Sequence, residues 1–317
     1  MSQHREHPAR PRIVVVGSIN MDLVVRLARL PRPGETIIGR EALEIPGGKG
    51  ANQAVAAARL EADVSMIARV GDDAFGQRLR TGLQQEGVDV SRVIVTPDCA
   101  SGLAIVAVED SGENAITVLP GANGRLTTHD VRDASDLIRD ADVLLLQLEV
   151  PLETVLAAIE LADQHGTLVI LDPAPAPESF PLNLLSVAVA CPNETEATAL
   201  TGIPITTLED AARAARRLRE LGTRHAVITL GRQGALICGP DDRCETIPSF
   251  AITAVDTTAA GDAFAAALGV SLARGKTISD AVKFACAAGA LAATRAGAQP
   301  AMPTAAEVTR FLQTALM

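Results

Sequence analysis

The chain has 317 residues, is 48% hydrophobic and carries a formal net charge of -10. This length and apolar content suit one large α/β domain, alone or with a small companion, and the acidic balance argues against nucleic acid or an anionic membrane surface as partner. Trp and Tyr are absent, no apolar run has transmembrane length without a charge or turn residue, and the five cysteines form no close C-x-x-C pair, which points to reduced thiols in a cytoplasm rather than a zinc or disulfide framework.

Along the chain, residues 1–12 (MSQHREHPARPR) are polar and charged and read as a tail with no signal-peptide core. Residues 13–317 read as the folded domain. The apolar run 13–19 (IVVVGSI) is expected to be a doubly buried strand, as are 64–71, 142–150, 167–174 and 225–231. Between them ANQAVAAARL (51–60), PLETVLAAIELADQHG (151–166) and LEDAARAARRLRELG (208–222) have helical composition. Such alternation predicts a mostly parallel sheet with helices on both faces. Two regions depart from it. Residues 22–45 and 102–119 read as short strands joined by the turns PRPGE and DSGEN, with no helix between them. They are expected to form a small antiparallel sheet, serving as a lid or an interface; an edge extension of the main sheet is the alternative.

GSINMD (17–22) sets Asn20 and Asp22 at the C-terminal end of the first strand, where open α/β sheets bind ligands. Two apart on an extended segment, they face one way and suit vicinal hydroxyls, or else a solvated turn. PGGKGANQAVAAARL (46–60) matches neither G-x-x-x-x-G-K-[ST] nor G-x-G-x-x-G. What remains is a glycine turn, Lys49, and Asn52 in the first helical turn, whose amide offers a polyol both donor and acceptor; a plain turn into a helix is the other reading. Glu149 ends the apolar run of QLEVP. In CPNETEA, Asn193, Glu194 and Glu196 open a helix, either as carboxylates that order water around Mg²⁺ or as capping acids. TLGRQGAL (229–236) is a strand and glycine turn that suits a nucleotide. VDTTAAGDAF (255–264) places Thr258, Ala259, Ala260 and Gly261 before Asp262 and an apolar helix ending at Gly275. Side chains this small admit an anion to the free N–H groups of a helix start, or merely begin an ordinary helix. The five His are scattered, so neither a histidine acid/base site nor a metal cluster is expected.

In their order, the segments GSINMD, PGETIIG, PGGKGANQA, QLEVPLE, DPAPA, PNETE, ITLGRQGA, VDTTAAGDAF and TRAGAQPAMP resemble the ribokinase family of carbohydrate kinases (the PfkB type), from about residue 13 to residue 303. The resemblance implies a three-layer α/β/α domain with a β lid, homodimerisation through the lids, and ATP-dependent phosphorylation of a sugar's terminal hydroxymethyl group. D-ribose, phosphorylated at its 5-hydroxyl, is the substrate expected. Another furanose, a deoxysugar or a nucleoside is the alternative, and a non-catalytic sugar-binding protein of the same fold a third reading.

By the same resemblance, Asp262 is the catalytic base, and Ala259, Ala260 and Gly261 form the anion hole. Asn20, Asp22, Gly48, Lys49, Asn52 and Glu149, with Asp262, hold the sugar. Asn193, Thr229, Gly231 and Gly234, with Gly261, line the ATP site, and Glu196 orders Mg²⁺ through water. Asp256, Thr258, Ala292, Arg295, Gly297 and Ala301 surround a K⁺. Two positions depart from the family's pattern: Ala301 stands where a Ser is usual, and Cys286 where many members carry Asn or His near the adenine. A site of this kind is suited to phosphoryl transfer, which asks a protein for positioning and charge neutralisation more than for covalent chemistry.

Overall fold

The computed structural model describes residues 10–111 and 114–315. The expected tail lies outside them up to residue 9, as do two residues of the DSGEN turn. The elements in chain order are β1 (Arg12–Val16), β2 (Asn20–Leu27), β3 (Glu41–Gly47), α1 (Lys49–Arg59), β4 (Asp63–Gly71), α2 (Ala74–Gln85), β5 (Asp89–Thr96), β6 (Gly102–Glu109) and β7 (Asn114–Leu119). There follow α3 (Thr128–Asp133), α4 (Ser135–Asp140), β8 (Val143–Leu146), α5 (Leu152–His165), β9 (Leu168–Leu171), β10 (Val189–Ala190), α6 (Glu194–Thr201) and α7 (Leu208–Glu220). Last come β11 (His225–Thr229), β12 (Ala235–Cys238), β13 (Cys244–Ile247), α8 (Ala260–Ala273), α9 (Ile278–Ala292) and α10 (Ala305–Ala315).

The main sheet has the order β13-β12-β11-β10-β9-β8-β1-β4-β5 and is parallel except at β12 and β13. Its central strands are apolar on both faces because both faces are covered. Ile13 and Val15 enter one core with α1, α8 and α9, while Val14 and Val16 enter the other with α5 and α7. The three-layer α/β/α architecture expected from the alternation is therefore present. On one side the helices are rich in Ala: α1 and α8 are in contact, and Ala51, Ala54, Ala263 and Ala266 are fully buried in their shared core. On the other, α7 is amphipathic, burying Ala211, Ala214, Ala215 and Leu218, and it starts on a capping box between Thr207 and Asp210.

The second sheet has the order β3-β2-β6-β7. It is separate from the main one, and it is not purely antiparallel: β2 pairs with β6 in parallel, flanked by the antiparallel pairs β2–β3 and β6–β7. The chain between β2 and β6 passes through β3, α1, β4, α2 and β5, a crossover long enough to bring β6 back to the starting end of β2. Across this sheet Leu43, Val24, Val106 and Ile116 share one face in register, with Asp22, Ala104 and Val118 in the next row.

Two strand assignments change. Asn20 and Asp22 do not end the first strand. β1 stops at Val16, and both residues open β2 in the small sheet, on one face as the spacing requires. Glu149 likewise lies three residues past the end of β8, in a bend over residues 148–150. Among the described residues no helix is long and apolar enough to cross a membrane.

Candidate active site

The C-terminal ends of β1, β8 and β9 open at one edge of the main sheet, facing the N-termini of α1 and α8. Two glycines set how closely α1 approaches. Gly48 has φ 89°, and a Cβ there would lie 2.6 Å from the backbone nitrogen of Asn20. A Cβ on Gly50 would lie 2.7 Å from the backbone of Gly17 and Ser18. Any larger residue would push α1 away from β1, which is the physical content of the GGKG run.

Glu149 locks this junction. It accepts hydrogen bonds from Ser18 Oγ at 2.5 Å and from the Lys49 N–H at 3.1 Å. Asn20 is buried, and its Oδ1 accepts from Asn123 Nδ2 at 2.7 Å. Asn123 in turn clamps Ile19 through both its N–H and its carbonyl.

Asp262 sits in the first turn of α8, whose start carries no side-chain cap, with Ala259 buried and Gly261 exposed beside open space. The start of that turn is thus open to an anion, as the TAAG run suggested, although the Ala260 N–H already donates to the Thr257 carbonyl at 3.2 Å. Asp262 itself is buried. Its Oδ2 accepts from Asn52 Nδ2 at 2.8 Å and its Oδ1 from Gln53 Nε2 at 3.3 Å. Burial raises its carboxyl above the ordinary value, against the pull of Lys49 and of these two amides. Asn52 commits its donor to Asp262, which leaves its Oδ1 buried without a partner. A sugar hydroxyl would satisfy that oxygen.

Lys49 is a cation among acids. Burial works against its charge, but the carboxylates of Asp262, Asp172, Glu149 and Glu196 outweigh it and hold the ammonium above its usual range. The acids respond in kind. Burial, reinforced by the charges of Glu149 and Asp262, pushes Asp22 up to about 7, and burial pushes Asp172 up to about 8.

On the far side of Lys49, Asn193 and Glu196 form a reciprocal capping box at the start of α6, with Asn193 N–H to Glu196 Oε2 at 2.8 Å and Glu196 N–H to Asn193 Oδ1 at 2.9 Å. The capping reading is therefore realised. Asn193 also bridges to Thr229 at the end of β11. Gly231 (φ 52°) and Gly234 (φ 99°) turn the chain there, and Gly234 packs against Ile247 and Ser249. Beside this turn lies a cleft of about 770 Å³ lined by residues that include Ile247, Phe250, Ser279, Lys283 and Phe311.

Asp256 joins the last expected group. Its carboxylate accepts from Thr258 N–H and Gly297 N–H, both at 3.0 Å, so segments 256–258 and 295–297 meet. The Ala292 carbonyl already accepts from Arg295 N–H at 3.1 Å, Arg295 pairs with Glu307, and Ala301 is a buried methyl.

Sequence reasoning missed Gln53, Gln147, Asp172 and Asn123. Asp172 follows an apolar strand as Glu149 does, so the same signal was there to be read; the buried amides carry none.

Residues 10–305 match the family described as pfkB family carbohydrate kinase. The chain belongs to that family. It is an ATP-dependent sugar kinase. It is 38% identical to a ribokinase of Haemophilus influenzae, over 96% of this chain and 99% of the relative. It is 36% identical to a deoxyribokinase of Salmonella typhi, over 95% and 98% respectively. Among solved structures, an Arabidopsis thaliana ribokinase complexed with ribose and ATP is similar with a TM-score of 0.89 at 33% identity, covering 96% of this chain and 99% of that one. The kinase family accounts for the meeting of an uncapped helix start with a buried carboxylate.

The raised acids have a consequence for stability. Asp172 keeps its proton in the folded, ligand-free protein to about 8, whereas an unfolded aspartate releases it near 4. Between those values the folded state binds the extra proton, so this residue's contribution falls as pH rises. Asp172→Asn keeps an oxygen for Gln53 and removes the titration. It is expected to stabilise the protein by about 1–3 kcal/mol near pH 8 and to change little near pH 4, as urea unfolding at the two pH values would measure.

Proposed function

We propose that this kinase transfers the γ-phosphoryl of ATP to the 5-hydroxyl of D-ribose, giving ribose 5-phosphate. The observation that carries the reading is the Asp262 site: a buried carboxylate held by two amides, in the first turn of a helix with no side-chain cap, with an orphaned Asn52 Oδ1 beside it. The high identity to ribokinases over nearly the whole chain supports ribose in particular.

Asn20, Asp22, Asn52 and Glu149, with Lys49 and the Gly48 backbone, grip the sugar hydroxyls. Asp262 takes the proton of the 5-hydroxyl as its oxygen bonds to the γ-phosphorus, and the bond to the ADP oxygen breaks. The N–H groups at Ala259, Ala260 and Gly261 receive the charge that develops on the transferring group. Asn193, Thr229, Gly231 and Gly234 line the path of the phosphates, and the cleft beside Gly234 takes the base. The acids around one lysine disfavour a polyphosphate, and Mg²⁺, which Glu196 would hold through water, would supply the missing positive charge. The meeting of segments 256–258 and 295–297 supports a K⁺ held by Asp256 and by loop carbonyls of Thr258, Arg295, Gly297 and the Ala301 turn. Ala301 contributes no hydroxyl, and the Ala292 carbonyl is already engaged. The apolar lid face of Leu43, Ile116 and Val118, all exposed, supports a homodimer that covers it. Free thiols at all five cysteines suit a cytoplasmic setting.

The similarity to a deoxyribokinase favours 2-deoxyribose as the second reading. A site that hydrogen-bonds the 2-hydroxyl disfavours a sugar lacking it by about 1–3 kcal/mol, because its buried polar groups go unpaired. The deciding measurement is kcat/KM for D-ribose, 2-deoxyribose, fructose and adenosine on one preparation. Ribose is expected to lead, and a lead by any other substrate transfers the assignment to it. Asp262→Asn is expected to fold and bind ribose while kcat falls roughly 10²–10⁴-fold, and turnover near the wild-type rate would remove Asp262 as the base. Activity should be higher in potassium than in sodium buffers, and equal rates would count against the K⁺ site. Light scattering at micromolar protein should give the mass of a dimer; a monomer would leave the lid face without its partner.

A further inference from the structure

Gln53 follows Asn52 on α1 and is completely buried. A primary amide in such a place is costly unless each of its groups is bonded, and here each one is. Gln147 Nε2, just past the end of β8, donates to Gln53 Oε1 at 2.5 Å. Gln53 Nε2 donates to Asp172 Oδ2 at 3.0 Å and to Asp262 Oδ1 at 3.3 Å. The opposite orientation would turn the amide oxygen onto the Asp262 carboxylate and the amide nitrogen onto the Gln147 nitrogen that now donates to it, so the direction of the amide follows from its neighbours. Asn52 and Gln53, consecutive residues of one helix, therefore each hold a different oxygen of Asp262. The carboxylate cannot rotate without losing both bonds.

We propose that Gln53 is a positioning residue for the Asp262 base: anchored by Gln147 and braced on Asp172, its amide fixes the plane in which the Asp262 carboxylate meets the sugar hydroxyl. The inference rests on the reading of Asp262 as the base. It assigns Asp172 a place as well, as the second carboxyl that keeps the Gln53 nitrogen on the Asp262 side. Lys49, Glu149, Asp172 and Asp22 are the charged groups that face Asp262, and all four remain in the variants below.

Gln53→Leu keeps the bulk and removes both the donor and the acceptor. Its kcat for D-ribose is expected to fall about 10–100-fold, the scale of a misplaced catalytic group, while KM for ribose and for ATP stays within about threefold. Asp262 also loses one of the two donors that favour its charged form, so the acid limb of the kcat–pH profile moves to higher pH. A merely structural amide would lower the melting temperature and leave that limb in place. Should Gln53→Leu fail to fold, Gln147→Leu carries the test, since it leaves the Gln53 amide but frees its orientation; a smaller fall in kcat in the same direction is expected. Wild-type kcat in a folded variant, a rise in KM alone, or an unmoved acid limb would overturn the proposal. Asp262→Asn in the same series separates the two ideas. If it turns over like wild type, the base assignment fails, and if it is inactive while Gln53→Leu is fully active, only the role of Gln53 fails.

Discussion

A single lysine facing four carboxylates in a poorly solvated site is the constraint on which the rest of this structure depends. Lys49 lies within electrostatic reach of Asp262, Asp172, Glu149 and Glu196. Its one charge cannot balance four, so burial drives Asp172 and Asp22 toward their neutral forms and raises Asp262 as well. As the proposed base, Asp262 must still ionise to act, and the two amide donors from α1 are what the fold supplies against that pressure. The site is thus unbalanced in charge without ligands, and in the proposed reaction a sugar together with a metal-bound polyphosphate would bring the hydroxyls and the positive charge it lacks. Binding and charge balance are the same event here.

The geometry that permits this is a close backbone approach. The start of α1 rests directly on the turn after β1, with Gly48 and Gly50 removing the atoms that would hold it off. Glu149 ties the two together through Ser18 and Lys49. Because β3 ends at Gly47 and α1 starts at Lys49, the small sheet and α1 share continuous backbone. Asp22 extends that link, lying on the same lid face as Leu43 and Ile116 while sensing the charges of Glu149 and Asp262. The apolar face of the small sheet and the proposed sugar site are in this sense one surface, apolar at its outer rows and acidic at the row nearest Asp262.

Division of labour across the sheet follows from strand order. β1 and β8 bring Ser18, Gln147 and Glu149 to the half proposed for the sugar, β10 and β11 bring Asn193 and Thr229 to the half proposed for the nucleotide, and β9 lies between with Asp172. Parallel strands make this possible, since all of their C-terminal ends open on one edge. The glycine turn after β11 and the cleft between β13, α9 and α10 extend that second half outward.

Much of this was legible in the sequence, because its physical causes are local. Continuous apolar runs such as RIVVV and VLLL determine doubly buried strands. Glycine runs determine close approach, and TAAGD determines an open helix start with an acid inside it. Asn20, Asp22, Asn52, Glu149 and Asp262 could be named because each is a polar residue interrupting a pattern that otherwise serves the core. Tertiary structure alone decided what those residues touch. That β2 and β6 pair in parallel depends on where a crossover of five elements returns the chain. That Asn193 and Glu196 cap one another, and that Asn123 orients Asn20, depends on side-chain directions that spacing does not encode. Gln53, Gln147 and Asp172 come from α1 and from the ends of β8 and β9, far apart in the chain. Their meaning is a hydrogen-bond network, and a network exists only once burial has removed the water that would otherwise satisfy each member separately.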